Sequence, residues 1–154
     1  MPVWGGGGSS FAEESTGALW VAGAGGAARF DFETWSWRRH RFTNSSMISY
    51  FVEAISFGPT GEVYLNGNAA PGMGGFNVFD GSDWVGVNDF NYGFGPAWGL
   101  PSDDASALCI RSNGNVAIIP TGQSVFDWDG FGYSPLIPDG YGPRRVVEDG
   151  LGRL

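Results

Sequence analysis

The stretch TGALWVAGAGGAARFD, residues 16–31, places one tryptophan among small residues and follows it with a glycine-rich turn. The beginning of this stretch recurs three times along the chain. The related stretches are TGEVYLNG at 60–67, NGNVAIIP at 113–120 and LGRL at 151–154. Their anchoring glycines, separated by 44, 53 and 38 residues, are Gly17, Gly61, Gly114 and Gly152. These spacings indicate that the chain consists of repeated structural units.

Two further landmarks accompany the glycines. A segment ending near Phe-Asp or Trp-Asp follows each of the first three: ARFDFETW at 28–35, NVFDGSDW at 77–84 and FDWDGFGY at 126–133. An apolar run precedes the later ones: VEAISFGP at 52–59, ASALCIRS at 105–112 and RRVVEDGL at 144–151. Each unit therefore contains four short segments between turns, which is typical of a four-stranded β-propeller blade. Helical repeats would need a 3.6-residue period, which is absent.

The aromatic residues at the repeat positions are predicted to pack between blades, because small residues favour close packing of the inner strands and large rings fill the gaps. The predicted packing residues are Trp20, Phe30, Trp35, Tyr64, Phe79, Trp84 and Trp128.

The segment FAEESTGALWVAGAGGAARFD, residues 11–31, resembles the two-component-regulator type propeller repeat. FDGSDWVGVN at 79–88 resembles the end of such a blade, and VVEDGLGRL at 146–154 resembles the start of another. The resemblance implies a propeller fold and says little about function, since such blades occur in sensors, adhesive proteins and structural proteins. The chain departs from the repeat where Ala117 replaces an aromatic residue and where the first unit lacks a glycine after Phe-Asp.

The fold class expected from these repeats is all-β and propeller-like, with about three four-stranded blades in a single domain, residues 1–154. The expected bounds are 9–42, 50–88 and 105–136, with a partial blade at 143–154. Closed propellers have four to eight blades, and three would leave open edges that attract partners. We therefore expect completion by other subunits, in a homo-oligomer or a larger protein assembly. Residues 143–154 could add a strand to a neighbour or fold back on the N-terminal strand.

The charge balance is acidic, with sixteen Asp and Glu against eight arginines and no lysine. A negative field repels nucleic acid and anionic membranes, so neither is an expected partner. No apolar window is long enough for a membrane span. The N-terminus lacks a signal-peptide pattern, which leaves a cytoplasmic location or an extracellular or virion assembly open. The single cysteine, Cys109, is expected to be a core residue rather than a nucleophile.

Arg38, Arg39 and Arg41 surround the only histidine, His40, in the segment WSWRRHRF at 35–42. One interpretation is an anion site for a carboxylate or phosphate. The other is a solvent-exposed edge strand whose positive charges prevent self-pairing. With one histidine, neither a catalytic triad nor a common zinc site is expected.

The aspartates next to glycine are expected to form hairpin turns, as at Asp80 and Asp129. A calcium site using Asp127 and Asp129 is a weaker alternative, because no EF-hand spacing exists. The sequence therefore predicts no metal and no cofactor.

The insertion VNDFNYGFGPAWGLPSDD, residues 87–104, holds aromatic residues on a polar, glycine-rich loop. Such loops are typical of carbohydrate or protein contacts, and the candidate ligand-binding residues are Asp89, Tyr92, Phe94 and Trp98. The alternative is a loop that folds its rings back over the blade.

These observations favour a non-enzymatic structural or interaction module that binds protein partners, for example a tail or decoration component of a virion. The second hypothesis is a lectin-like, carbohydrate-binding propeller. The third, a glycan-active enzyme, is disfavoured because no catalytic motif is visible.

Overall fold

The computed structural model describes residues 10–41, 43–48, 51–67, 75–87, 105–120, 124–137, 143 and 145–154. Over these ranges the chain forms twelve β-strands and no helix, and so nothing in them resembles a membrane-spanning helix. The strands make three antiparallel sheets of four strands, each built from consecutive strands in spatial order. This is the expected all-β architecture of about three propeller blades.

The strand bounds follow the repeat. Blade one contains β1 (Ser10–Glu13), β2 (Leu19–Gly23), β3 (Gly26–Asp31) and β4 (Ser36–His40). Blade two contains β5 (Ala54–Phe57), β6 (Val63–Gly67), β7 (Gly75–Phe79) and β8 (Trp84–Val87). Blade three contains β9 (Ala105–Ile110), β10 (Val116–Pro120), β11 (Phe126–Trp128) and β12 (Tyr133–Pro135).

The anchoring glycines all occupy the same turn. In each turn the glycine N–H donates to the carbonyl three residues earlier, over 2.8 to 3.1 Å. All four have positive φ, which explains why glycine recurs at this position. The fourth turn, around Gly152, has this geometry although the surrounding residues 145–154 form no strand.

The hairpins between the third and fourth strands confirm the expected turn role of the aspartates. Asp80 Oδ1 accepts the N–H groups of Ser82 and Asp83, and Asp129 Oδ1 accepts those of Phe131 and Gly132. Blade one lacks the glycine after its aspartate, and there the positive φ falls on Trp35 instead, at 52°.

The blades pack through alternate residues of their strands. Partners directly across a sheet share a face, so Leu19, Phe30 and Trp37 form one row on blade one. The equivalent row on blade two is Val63, Phe79 and Trp84, and on blade three it is Val116, Trp128 and Tyr133. The second row packs in the core against blade one, and the third row packs against blade two.

Four of the seven aromatic residues predicted to pack between blades are buried: Trp20, Tyr64, Phe79 and Trp84. Trp128 is half-buried against blade two. Phe30 is half-buried on the face of blade one turned away from blade two, so it does not pack between the described blades. The prediction is wrong for Trp35, which is 78% exposed at the tip of a hairpin. Its position in the turn rather than on a strand removes it from the blade interface.

The C-terminal segment lies against blade three. Ser112 donates to the Glu148 carboxylate through its backbone N–H and its hydroxyl, and Val146 packs near Ala117 and Ile119. These contacts differ from the expected alternative in which the tail folds back on the N-terminal strand. Addition of the tail to a neighbouring chain stays a prediction. Cys109 is half-buried on the same side of blade three, beside Ala117.

Two blades contain the same ion pair with its charges exchanged. In blade one, Glu14 lies three residues before the anchoring glycine and accepts from Arg29 Nε at 2.9 Å. In blade three, Arg111 occupies the equivalent turn position and donates to Asp127 across 3.0 Å. Both pairs join the first turn to the third strand, whereas blade two has Gly58 and Val78 at the two positions. Two of the three blades therefore use opposite charges here, in either orientation.

Arg111 Nε also lies 3.6 Å from Glu148 Oε1, so the exchange is made in a Glu148→Gln background. In that background we expect the exchange Arg111→Glu with Asp127→Arg to recover most of the stability that either single change removes. Each single change places two like charges together at a half-buried site and should cost about 2 kcal/mol. Urea denaturation of the four variants in a double-mutant cycle gives the coupling energy, expected at about 2 kcal/mol. Simple addition of the two single effects would show that the charges at positions 111 and 127 do not stabilise the fold through each other.

Candidate functional site

Strand alternation divides the arginine-rich segment between two faces of blade one. Arg38 pairs with Arg29 and His40 pairs with Ala27, whereas Arg39 pairs with Ala28 between them. Arg38 and His40 therefore point toward blade two, and Arg39 points to the opposite face. Arg41 follows the strand and its backbone forms a turn with Asn44. The three arginines do not form one cluster.

His40 is buried between the first two blades, with 4% of its surface exposed. Its ring stacks on Trp20 at a centroid distance of 5.3 Å and lies 5.1 Å from the ring of Phe79. Trp84 Nε1 donates to His40 Nδ1 over 2.9 Å. The expectation of a solvent-exposed strand is thus wrong for His40, because the alternation of β4 turns this one side chain into the blade interface.

The protonation state of His40 follows from this environment. Burial lowers its pKa to about 4, and the nearby positive charges of Arg38 and Arg29 act in the same direction. The ring is therefore neutral at neutral pH. Because Nδ1 accepts the Trp84 hydrogen bond, the proton is on Nε2. Nε2 is buried and has no hydrogen-bond partner among the described residues.

Glu14 forms the acidic part of the same region. Its carboxylate accepts from Trp20 Nε1 at 2.8 Å and from Arg29 Nε at 2.9 Å. These bonds, led by the one from Arg29, lower the pKa of Glu14 to about 2. Arg29 also donates to Asp31, so its positive charge is fully compensated.

Arg38 lies directly across the strand pair from Arg29. Two like charges at such positions destabilise a sheet. Within the described ranges Arg38 forms no ion pair, and its guanidinium lies 5.8 Å from the centre of the Phe79 ring. The face of blade one toward blade two therefore carries one guanidinium without a carboxylate partner in the described ranges, next to the neutral ring of His40.

A pocket of about 260 Å³ lies between blades one and two at this point. Its polar lining comes from Glu14, Arg29, Arg38 and His40, and Trp20, Val63 and Phe79 supply apolar walls. Pockets for drug-sized ligands begin at about 300 Å³, so this volume suits a smaller molecule. The pocket therefore combines Arg38, a guanidinium without a carboxylate partner in the described ranges, with the neutral ring of His40.

The other predicted site residues divide into two groups. Asp89, Tyr92, Phe94 and Trp98 lie outside the described residues. Asp127 accepts from Arg111 and Asn115, and the Asp129 carboxylate binds its own turn, so both aspartates of the suggested calcium site have other partners. In the described ranges no three potential metal ligands come together.

Sequence reasoning did not identify Glu14, Arg29, Trp84 or the His40 ring nitrogen as parts of one site. A period-two reading of WSWRRHRF would have placed Arg38 and His40 on one face. No local signal indicated that Trp84, 44 residues away along the chain, would orient the histidine.

No family model and no curated protein sequence matches the chain. Among solved structures, the extracellular domain of a hybrid two-component system from B. thetaiotaomicron is similar, with a TM-score of 0.66 and 19% identity over 93% of this chain. Virginiamycin B lyase from Staphylococcus aureus has a TM-score of 0.52 and 11% identity over 95% of this chain.

This chain spans 19% of the length of the first of these structures and 61% of the second. At such low identities the likeness shows the fold alone. That fold is the β-propeller expected from the repeats and from their resemblance to two-component-regulator propeller blades. One of the two neighbours is a lyase by name, so the fold itself is compatible with enzymes and with non-enzymatic domains.

Proposed function

We propose that this β-propeller chain is a non-enzymatic interaction module and that the outer face of blade one binds a second copy of the chain. The outer face is the side of the sheet turned away from blade two, and it carries Phe11, Val21 and the row Leu19, Phe30 and Trp37. The proposal rests on one observation. Trp37 is 47% exposed, whereas Trp84 at the equivalent position of blade two is 4% exposed.

The outer face has the composition of a blade interface. Phe11 is 76% exposed, and the rings of Phe30 and Trp37 lie 4.8 Å apart. On blades two and three the equivalent rows pack in a core. Contiguous exposed apolar surface of this kind marks interaction sites.

Blade three, at the other end of the described chain, indicates which surface can cover this face. On blade three, Ala117 and Ile119 face away from blade two, and both are fully buried beside Val125. Ile137 and Val146 pack on this face, so it is not free for a head-to-tail contact. Pairing of two outer faces of blade one gives a two-fold dimer, the commonest symmetry of homo-oligomers. Glu13 and Arg39 belong to this face and carry one charge of each sign.

We expect the chain to be a dimer by light scattering across a dilution series. Phe11→Asp and Trp37→Asp should each weaken the dimer by about tenfold or more, because each places a charge in an apolar contact. The matched control is Phe131→Asp, which changes an aromatic residue 84% exposed on a blade-three hairpin. Circular dichroism and thermal unfolding establish that each variant is folded.

A wild-type chain that is monomeric at every concentration would contradict the dimer. Equal weakening by Phe131→Asp would show that association does not use the outer face of blade one. The lectin-like alternative rests on residues outside the described ranges and stays a prediction, as does a role in a virion.

A further inference from the structure

We propose that the pocket between blades one and two binds a small monocarboxylate, with Arg38 and the His40 Nε2–H group as its two donors. This site is separate from the outer face of blade one, because Arg38 and His40 belong to the opposite side of the same sheet. The proposal does not depend on dimer formation.

The histidine nitrogen without a partner is the first indication of a ligand. His40 is 4% exposed, its Nε2 atom has no hydrogen-bond partner among the described residues, and the ring lines the pocket. Leaving such a buried donor unpaired is costly. Nε2 has almost no accessible surface in the structure without ligand, so we infer that a ligand oxygen satisfies it once a side chain of the pocket lining moves aside.

The charge of Arg38, which no carboxylate compensates within the described ranges, is the second indication. Arg38 faces Arg29 across the strand pair, and Glu14 and Asp31 compensate only Arg29. Two arginines directly opposite each other lower the local stability of the sheet, because like charges repel. Such a conflict between local preference and fold is expected at functional sites. An anion at Arg38 would remove it.

The charges at the pocket select the chemistry of the anion. Arg29 is paired with both Glu14 and Asp31, and His40 is neutral, so Arg38 is the one cation of the lining without a carboxylate partner in the described ranges. A single unpaired guanidinium matches a monoanion, and a dianion would be repelled by the Glu14 carboxylate. Guanidinium groups bind planar carboxylates through two parallel hydrogen bonds. Trp20, Val63 and Phe79 would contact the apolar part of the ligand.

The test uses the fact that His40 is the only histidine of the chain. Its imidazole resonances in a ¹⁵N-labelled sample therefore report on the pocket without assignment ambiguity. We would titrate benzoate, acetate and inorganic phosphate at constant ionic strength. The expected result is a saturable shift of the Nε2 signal with benzoate and acetate and a smaller, non-saturating change with phosphate.

The matched variants are Arg38→Gln and Arg39→Gln, which remove neighbouring charges from opposite faces of β4. Arg38→Gln should weaken benzoate binding by about tenfold or more, since hydrogen bonds to charged groups are the stronger ones. Arg39→Gln should leave the affinity within about twofold, because its charge is on the other face of the sheet. Arg38→Gln relieves the repulsion with Arg29, so it is expected to fold.

Three results would overturn the proposal. One is the absence of a saturable shift with either carboxylate. Another is an equal loss of affinity in Arg39→Gln, which would indicate diffuse attraction of anions. The third is saturable, Arg38-dependent binding of phosphate that is tighter than benzoate binding, which would exclude a monocarboxylate site.

Discussion

Gly26→Ala is expected to destabilise the protein by about 3 kcal/mol or more, because a side chain there meets the backbone of the next strand. A Cβ atom on Gly26 would overlap the carbonyl oxygen of His40 and would lie 3.2 Å from its carbonyl carbon and 3.3 Å from the Cα of Arg41. Gly26 also has a φ of 111°, which L-residues rarely adopt. Neither neighbouring backbone atom can move aside without displacing β4.

The adjacent Gly25 provides the control. Its φ is 102°, and nothing lies within 4 Å of a Cβ atom placed on it. Gly25→Ala should therefore cost only the conformational strain, about 1 kcal/mol. Urea denaturation followed by tryptophan fluorescence measures both variants. Equal losses would show that β4 moves freely, and that the position of His40 is not determined by its contact with this hairpin.

Acidification from pH 7 to pH 5 is expected to remove about 2 kcal/mol of stability through His40 alone. Its pKa falls from the ordinary value of 6.5 to about 4 in the folded protein. The unfolded chain therefore binds the proton first. The stability contributed by neutral His40 is fully present above pH 6.5 and is lost as the pH falls toward 4.

The control variant for this pH dependence is His40→Gln, whose amide oxygen can accept the Trp84 hydrogen bond but does not titrate between pH 7 and pH 5. Its free energy of unfolding should change by about 2 kcal/mol less than that of the wild type over this interval. Glu14, whose pKa is also lowered, acts in a separate window between pH 4.5 and about 2. The pKa of the imidazole in the folded protein can be read by NMR. A value near 6.5 would show that the ring of His40 is not buried away from water.

The two variants at Gly26 and His40 concern the same part of the molecule. The carbonyl of His40 limits the space at Gly26, and the ring of His40 lines the pocket between blades one and two. Displacement of β4 in Gly26→Ala should therefore also weaken carboxylate binding. This effect would distinguish a local shift of β4 from a uniform loss of stability.

The sequence by itself determined the repeat, the number of blades and the turn chemistry. Each of these depends on local rules: a glycine where φ is positive, an aspartate that accepts two backbone N–H groups, and four short apolar runs between turns. Trp20 and Trp84 were each recognised as packing residues because an aromatic residue stands at the corresponding position of another repeat. Trp35 was not distinguishable from them, since its place in a hairpin depends on a turn that blade one forms differently.

Only the tertiary structure decided which chemistry the arginine-rich segment contains. In the sequence, Arg38, Arg39 and Arg41 form one basic run around an exposed histidine. In the fold, the alternation of β4 separates Arg38 from Arg39, and Trp84 of blade two orients the His40 ring. The pocket therefore depends on contacts between residues far apart in the chain. Such contacts arise from the packing of one blade against the next, which no local pattern of residues specifies.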